Sequence, residues 1–289
     1  MKNRYKLCYI PILLLMIFLT SGCRMDNMED IHIVVTDYPS EFILTRLYGR
    51  HATITKMFPD GVDIRNYNLT NRQLDLFSRN DLFVYNGLIE RDRNIAMSLL
   101  DRNNRLMIID TSFVLDQPAS PEELWLNPSS LLMMTRNVRN ALEEYVTSQY
   151  LRDSINEAYQ ILRTELSELA ADYRLAIENA RYNTIVTANN GFRFLTRFGF
   201  NVISIDVDAT QADIREVIRL IDAGYISYIF NFRGDSLNPI IQEIYDSFDH
   251  LNILFLHRLD NLSDEDRNNN RDYISIMQEN LNTLKRELH

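Results

Sequence analysis

From Ser129 to about Ala180 the chain contains neither glycine nor proline. Apolar residues return along it at intervals of three and four: Leu151, Ile155, Ala158, Ile161, Leu162, Leu166, Leu169 and Tyr173. That spacing is the period of a helix with one buried stripe. A helical run of this length reads as one rigid connector or as two helices end to end. Whatever lies on either side is therefore joined by a rod and not by a flexible tether.

Both flanks carry the same rhythm. Before the rod, strand-like β-branched and apolar runs stand at 31–36 (IHIVVT), 52–58 (ATITKMF), 81–87 (DLFVYNG) and 105–110 (RLMIID). Helical patterns fall between them at 40–49 and at 70–80, where Thr70 is a natural N-cap. After the rod, strands are expected at 183–188, 201–206, 225–232 and 252–257, and helices at 191–199, 211–223, 238–248 and 272–288. Strands alternating with helices predict parallel sheets covered on both faces. The fold class is thus α/β: two doubly wound lobes joined by a long rigid connecting helix. PEELWLNP (121–128) and the Asn-rich stretch 261–271 read as loops. The expected organisation is a leader at 1–22, a first lobe at 23–146, a connecting helix at 147–180 and a second lobe at 181–289.

The leader has a basic start (Lys2, Arg4, Lys6) and an apolar stretch from Tyr9 to Leu19, too short to span a bilayer. It ends in LTSGC, which resembles the lipobox of bacterial lipoproteins, although Thr20 stands where leucine is usual. That resemblance makes Cys23 the lipidated N-terminus of the mature chain. The other cysteine, Cys8, leaves with the leader, so the mature chain has no disulfide, in keeping with an exposed compartment. The expected location is the outer face of a bacterial cytoplasmic membrane, held there by acyl chains. A formal net charge of −10 makes a nucleic-acid partner a poor fit.

No nucleophile elbow, phosphate-cradling glycine loop or H-E-x-x-H zinc motif is present, and with 8 glycines there is little room for one. The reading is a binding protein, not an enzyme.

Several segments together resemble the metal-binding lipoproteins of zinc and manganese ABC importers. FPDGVDIRNYNLTNRQLDLFSRNDLFVYNG (58–87) is similar to the family's first ligand loop and third strand. PEELWLNP is similar to its D-P-H-x-W-L-x-P segment. VTANNGFRFLTRFGF (186–200) is similar to the opening of its second lobe, and 271–288 to its terminal helix. The resemblance implies a monomer that captures a divalent metal between two lobes and passes it to a membrane ABC permease. It also places the four ligand positions at Arg65, Glu123, Asn189 and His257.

None of those four matches the family's usual residue, and the histidine-rich loop is missing. An arginine has no lone pair for a metal and repels one. The expected arrangement is therefore an Arg65–Glu123 ion pair in the former ligand space. The alternative is a solvated Arg65 above a weak oxygen and nitrogen site made by Glu123, His257 and Asn189. That set would hold Zn²⁺ or Mn²⁺ loosely, or no metal at all. Two further readings stay open. One is a small-anion binder, with Arg65, Asn189, Asn190, Asn231, Arg233 and Arg258 as donors. The other is a metal-free, adhesin-like interaction protein on the same fold. Trp125 reads as a packing residue, and His32, His51, His250 and His289 show no metal spacing.

Overall fold

The structure, a computed structural model, describes residues 28–118, 120–206 and 208–288. The leader and Cys23 lie outside the described residues. No helix among the described residues is long and apolar enough to cross a membrane.

The first lobe is built on β1 (Ile31–Val35), β2 (Ala52–Lys56), β3 (Leu82–Tyr85) and β4 (Met107–Asp110), all parallel in the order β2–β1–β3–β4. The second is built on β5 (Thr184–Thr187), β6 (Asn201–Ser204), β7 (Tyr228–Phe232) and β8 (Asn252–Leu256), parallel in the order β6–β5–β7–β8. All eight expected strands are present, each trimmed at its ends. In both sheets the order reverses beside the first strand. Such a reversal opens a crevice at the carboxyl ends of the strands, where open α/β sheets hold ligands.

The helices of the first lobe are α1 (Tyr38–Tyr48), α2 (Asn71–Phe77), α3 (Glu90–Arg102) and the short α4 (Glu122–Leu126). Thr70 caps α2 through a full capping box with Gln73. PEELWLNP is a short helix rather than a loop, and it buries Leu124, Trp125 and Leu126. In the second lobe, 190–198 is a 3-10 helix and not an α-helix. It is followed by α7 (Gln211–Asp222) and α8 (Pro239–Ser247). The Asn-rich stretch also departs from a loop. Ser263 and Asp266 form a capping box that starts α9 (Asp264–Asn268), and α10 (Tyr273–Leu288) closes the chain.

The glycine-free run is two helices end to end, α5 (Pro128–Tyr145) and α6 (Gln149–Glu178). Arg152 secures the break between them by donating its Nε and Nη2 to the carbonyl of Val146, at 2.9 and 2.8 Å. The buried stripe of α6 is Leu151, Ile155, Tyr159, Leu162, Leu166, Leu169, Tyr173 and Ala176. Ile161 faces solvent at 53% exposure, Ala158 packs half-buried against the core, and Tyr159 joins the stripe. One apolar cluster includes this stripe, β1 and β3 of the first lobe, and Phe192, Phe230 and α10 of the second. Smaller clusters fill the outer faces of the two sheets.

Candidate functional site

The loops at the carboxyl ends of the strands meet along one seam. After β2, Pro59-Asp60-Gly61 turns back on itself; Gly61 sits at φ +73°, a conformation glycine adopts without steric cost. The Gly61 amide donates to the carbonyl of Leu262 in the opposite lobe at 2.8 Å. Asn261 reaches back, its Nδ2 donating to the carbonyls of Pro59 and Val62 at 2.8 and 3.1 Å. Arg267 grips Glu41 through two bonds of 2.8 Å and Asp60 through a third of 2.8 Å. The lobes are therefore closed on each other, around a cleft of about 430 Å³.

Arg65 lines this cleft, but Glu123 is not the partner the structure gives it. Its Nε and Nη2 donate to the two carboxylate oxygens of Asp63 at 2.9 and 3.0 Å. The same Nη2 donates to Oδ1 of Asp235 in the second lobe at 3.0 Å. The hydrogen bonds from Arg65 outweigh burial and hold the Asp63 carboxyl low, at about 2. Glu123 instead closes the first turn of α4, where its Oε1 accepts from the amide of Ser120 at 3.2 Å.

The other lobe of Asp235 belongs to Arg258. That guanidinium donates its Nη2 to Oδ2 of Asp235 and lies 4.8 Å from the ring centroid of Phe232. Glu122 and Asp260 approach it at 3.7 and 3.8 Å. Its side chain is 9% exposed, so this cation is buried and surrounded by three carboxylates. Its carbonyl accepts from Nε1 of Trp125 at 2.8 Å, and the Trp125 carbonyl accepts from the hydroxyl of Tyr273. Trp125 is thus the packing residue expected, with its polar edge tied across the seam.

Asn189 stands where expected, at the end of β5, but both ends of its amide are used. Oδ1 caps the 3-10 helix by accepting from Gly191 at 3.0 Å, and Nδ2 donates to Asn231 at 3.2 Å. Gly191 is required there, since a Cβ would lie 2.6 Å from the Phe232 ring. His257 ends β8 and is likewise engaged. Nδ1 accepts from the Leu259 amide at 2.9 Å, so the remaining ring proton sits on Nε2, facing Oδ2 of Asp266 at 3.3 Å. Burial pushes the His257 imidazole below its ordinary value, against the pull of Asp266. Neither ring nitrogen keeps a lone pair for a metal in this arrangement. Among the described residues, no group of three His, Cys, Asp or Glu is placed to hold a metal ion.

Beneath the cleft lies a second buried group. Asp37 caps α1 through Oδ1, which accepts from Ser40 at 2.8 Å, while its Oδ2 is buried without a hydrogen-bond partner. Burial, reinforced by Asp92, pushes its pKa up to about 6. Asp92 itself takes Thr36 at 2.7 Å and Arg91 at 2.7 and 3.0 Å. A carboxyl raised above its unfolded value favours folding most at low pH, and that contribution is lost as pH rises through about 6. Asp37→Asn should therefore flatten the fall in stability between about pH 3.5 and pH 7. The part removed is on the order of 3 kcal/mol, read from urea unfolding of both proteins at each pH. Parallel curves would show that Asp37 does not titrate in this range.

Asp235 and the role of Arg258 as its second partner are not visible in the motifs. The signal present was FRGDS after β7, an acidic residue beside a turn glycine at a strand end.

Two α/β lobes closed over a seam of strand-end loops, with a helical rod behind them, define the two-lobed class of solute-binding components. The chain belongs to the family described as zinc-uptake complex component A, periplasmic, whose family model matches residues 33–287. This is a family of solute-binding transport components and not of enzymes. The chain is 23% identical to the zinc-binding lipoprotein AdcA of Streptococcus pneumoniae over 294 aligned residues, covering 91% of this chain. It spans 57% of the length of that relative. The crystal structure of the Zn(II)-bound ZnuA-like domain of the same AdcA superposes with a TM-score of 0.72 at 20% identity, covering 90% of this chain and 99% of that one. The laminin-binding protein Lmb of Streptococcus agalactiae, described as having adhesin and metal-transporting activity, gives 0.73 at 18% identity, covering 90% of this chain and all of the other.

Proposed function

We propose that this chain is the lipid-anchored, extracytoplasmic receptor of a zinc-uptake type ABC importer, working against a membrane permease as a monomer. The observation that carries this is the family match across both lobes, from residue 33 to residue 287. It fits a cleft that sits at the switch points of both sheets. The chemistry at the family's ligand positions is unusual: Arg65, Glu123, Asn189 and His257 replace its usual ligands. Glu123, His257 and Asn189 would offer Zn²⁺ or Mn²⁺ a loose site, and only after His257 gives up Asp266 or Leu259.

The test is deletion of the gene in its native cell, followed by growth in zinc-chelated medium and measurement of cell zinc. A several-fold fall in zinc, restored by this chain, is expected. Unchanged zinc and growth would favour the second reading, a metal-free interaction lipoprotein. The observation behind that second reading is that every polar end of His257 and of the Asn189 amide is already bonded within the protein.

A further inference from the structure

A cleft that closes around a divalent cation needs positive charge between two sets of carboxylates. Here the carboxylates are present, and so is the charge. Asp63 and Glu122 come from the first lobe, Asp235 and Asp260 from the second, and all lie within 4 Å of Arg65 or Arg258. Asp235 is the pivot. One of its oxygens takes Arg65 from the first lobe, and the other takes Arg258 from its own lobe. Arg258 is fixed from below by Phe232 and from behind by the Trp125 bond to its carbonyl. The acceptor is thus held in place before Arg65 reaches it.

We propose that Arg65, received by Asp235, is the resident cation of this cleft: it bars divalent metal from the space and adds to the ties that keep the two lobes together without cargo. The inference rests on the solute-receptor reading and limits it: the isolated, closed protein takes up no metal, and loading requires Arg65 to leave Asp235. A guanidinium cannot be lost to a chelator or titrated away at any physiological pH, so the closed shape does not depend on metal supply. A metal entering the same space would meet a fixed positive charge in a partly desolvated cleft, where repulsion is stronger than in water. Exposed ion pairs alone are weak, and Arg65 is 47% exposed. The buried Arg258 is what makes Asp235 a fixed anchor instead of a mobile surface acid.

Trp125 is the only tryptophan, and it is bonded across the seam, so its fluorescence reports closure. In EDTA-treated protein, emission and acrylamide quenching should be the same with and without excess Zn²⁺. Asp235→Asn and Arg65→Ala should each raise quenching several-fold while far-ultraviolet circular dichroism stays unchanged. Arg65→Ala should also gain Zn²⁺ in equilibrium dialysis. Arg65→Lys keeps the charge but not the fork, and should loosen the seam while still excluding Zn²⁺. The proposal is overturned if Zn²⁺ alters the tryptophan signal of the unmodified protein. It is also overturned if the Arg65 and Asp235 variants quench as the unmodified protein does. The receptor reading fails separately, through unchanged growth in chelated medium, whatever the tryptophan shows.

Discussion

Arg258→Ala is expected to lower the free energy of unfolding by about 3–5 kcal/mol, the usual result of removing one partner from a buried ionic group. The deletion leaves Glu122, Asp235 and Asp260 facing one another around an empty space, with side-chain exposures of 13, 22 and 15%. Burial already pushes the Asp260 carboxyl upward, and Glu122 adds to that push. Without the guanidinium both effects go unopposed by their nearest cation. Urea unfolding at neutral pH measures the loss. Adding Asp260→Asn to the Arg258→Ala protein should recover part of it, because Asp260, unlike Asp235 with its bond to Arg65, is then left without an ion-pair partner among the described residues. A loss below about 1 kcal/mol would put Arg258 in the class of exposed pairs and would remove the anchor from beneath Asp235.

Trp125→Ala is the second large effect, also about 3–5 kcal/mol, from the lost ring and the space left behind. The side chain is 3% exposed and sits in the cluster shared by both lobes. Its indole N–H is also the partner of the Arg258 carbonyl. Trp125→Phe separates the two contributions. The ring is largely kept, the carbonyl loses its donor, and the cost should fall to about 1–3 kcal/mol. Equal losses for both variants would mean that the hydrogen bond, and not the packing, dominates at this position.

The strands were legible because parallel strands covered on both faces are near-continuous apolar runs, and runs such as IHIVV and LFVY leave little else to be. The rod was legible from period and from the lack of breakers, but its break was not. Val146-Thr147-Ser148 carries no glycine or proline, and the carbonyl left open at the break is taken by Arg152 in the next helix. Helix α3 is too polar to announce itself, burying only Asp92, Ile95, Ala96 and Leu99. Its one fully buried acid is explained by Thr36 and Arg91, which no local pattern reveals. Helix α9 hid inside an asparagine-rich stretch, although Ser263 and Asp266 had the spacing of a capping box.

At the site, position was easier to read than partnership. Of the four positions the resemblance implies, Arg65 and His257 line the cleft, while Glu123 and Asn189 are not among its lining residues. Yet the partner that Arg65 finds across the seam lies 170 residues away, beyond the rod. Glu123 was the nearer acid by family position, and it serves its own helix instead. Charge counting along a sequence cannot choose between such acids, since the choice is made by which loops the lobes bring together.

The shared apolar cluster has a consequence for how such a chain can vary. Helix α6 is about 45 Å long, at 1.5 Å per residue for its 30 residues, and both lobes lean on its buried stripe. Neither half owns that shared interior, although each keeps a smaller cluster of its own. A lobe exchanged for a foreign one would meet Leu162, Leu166 and Tyr173 with the wrong relief. Change in this chain is therefore channelled outward, to the strand-end loops, where an arginine can stand at a ligand position while the interior below it stays the same.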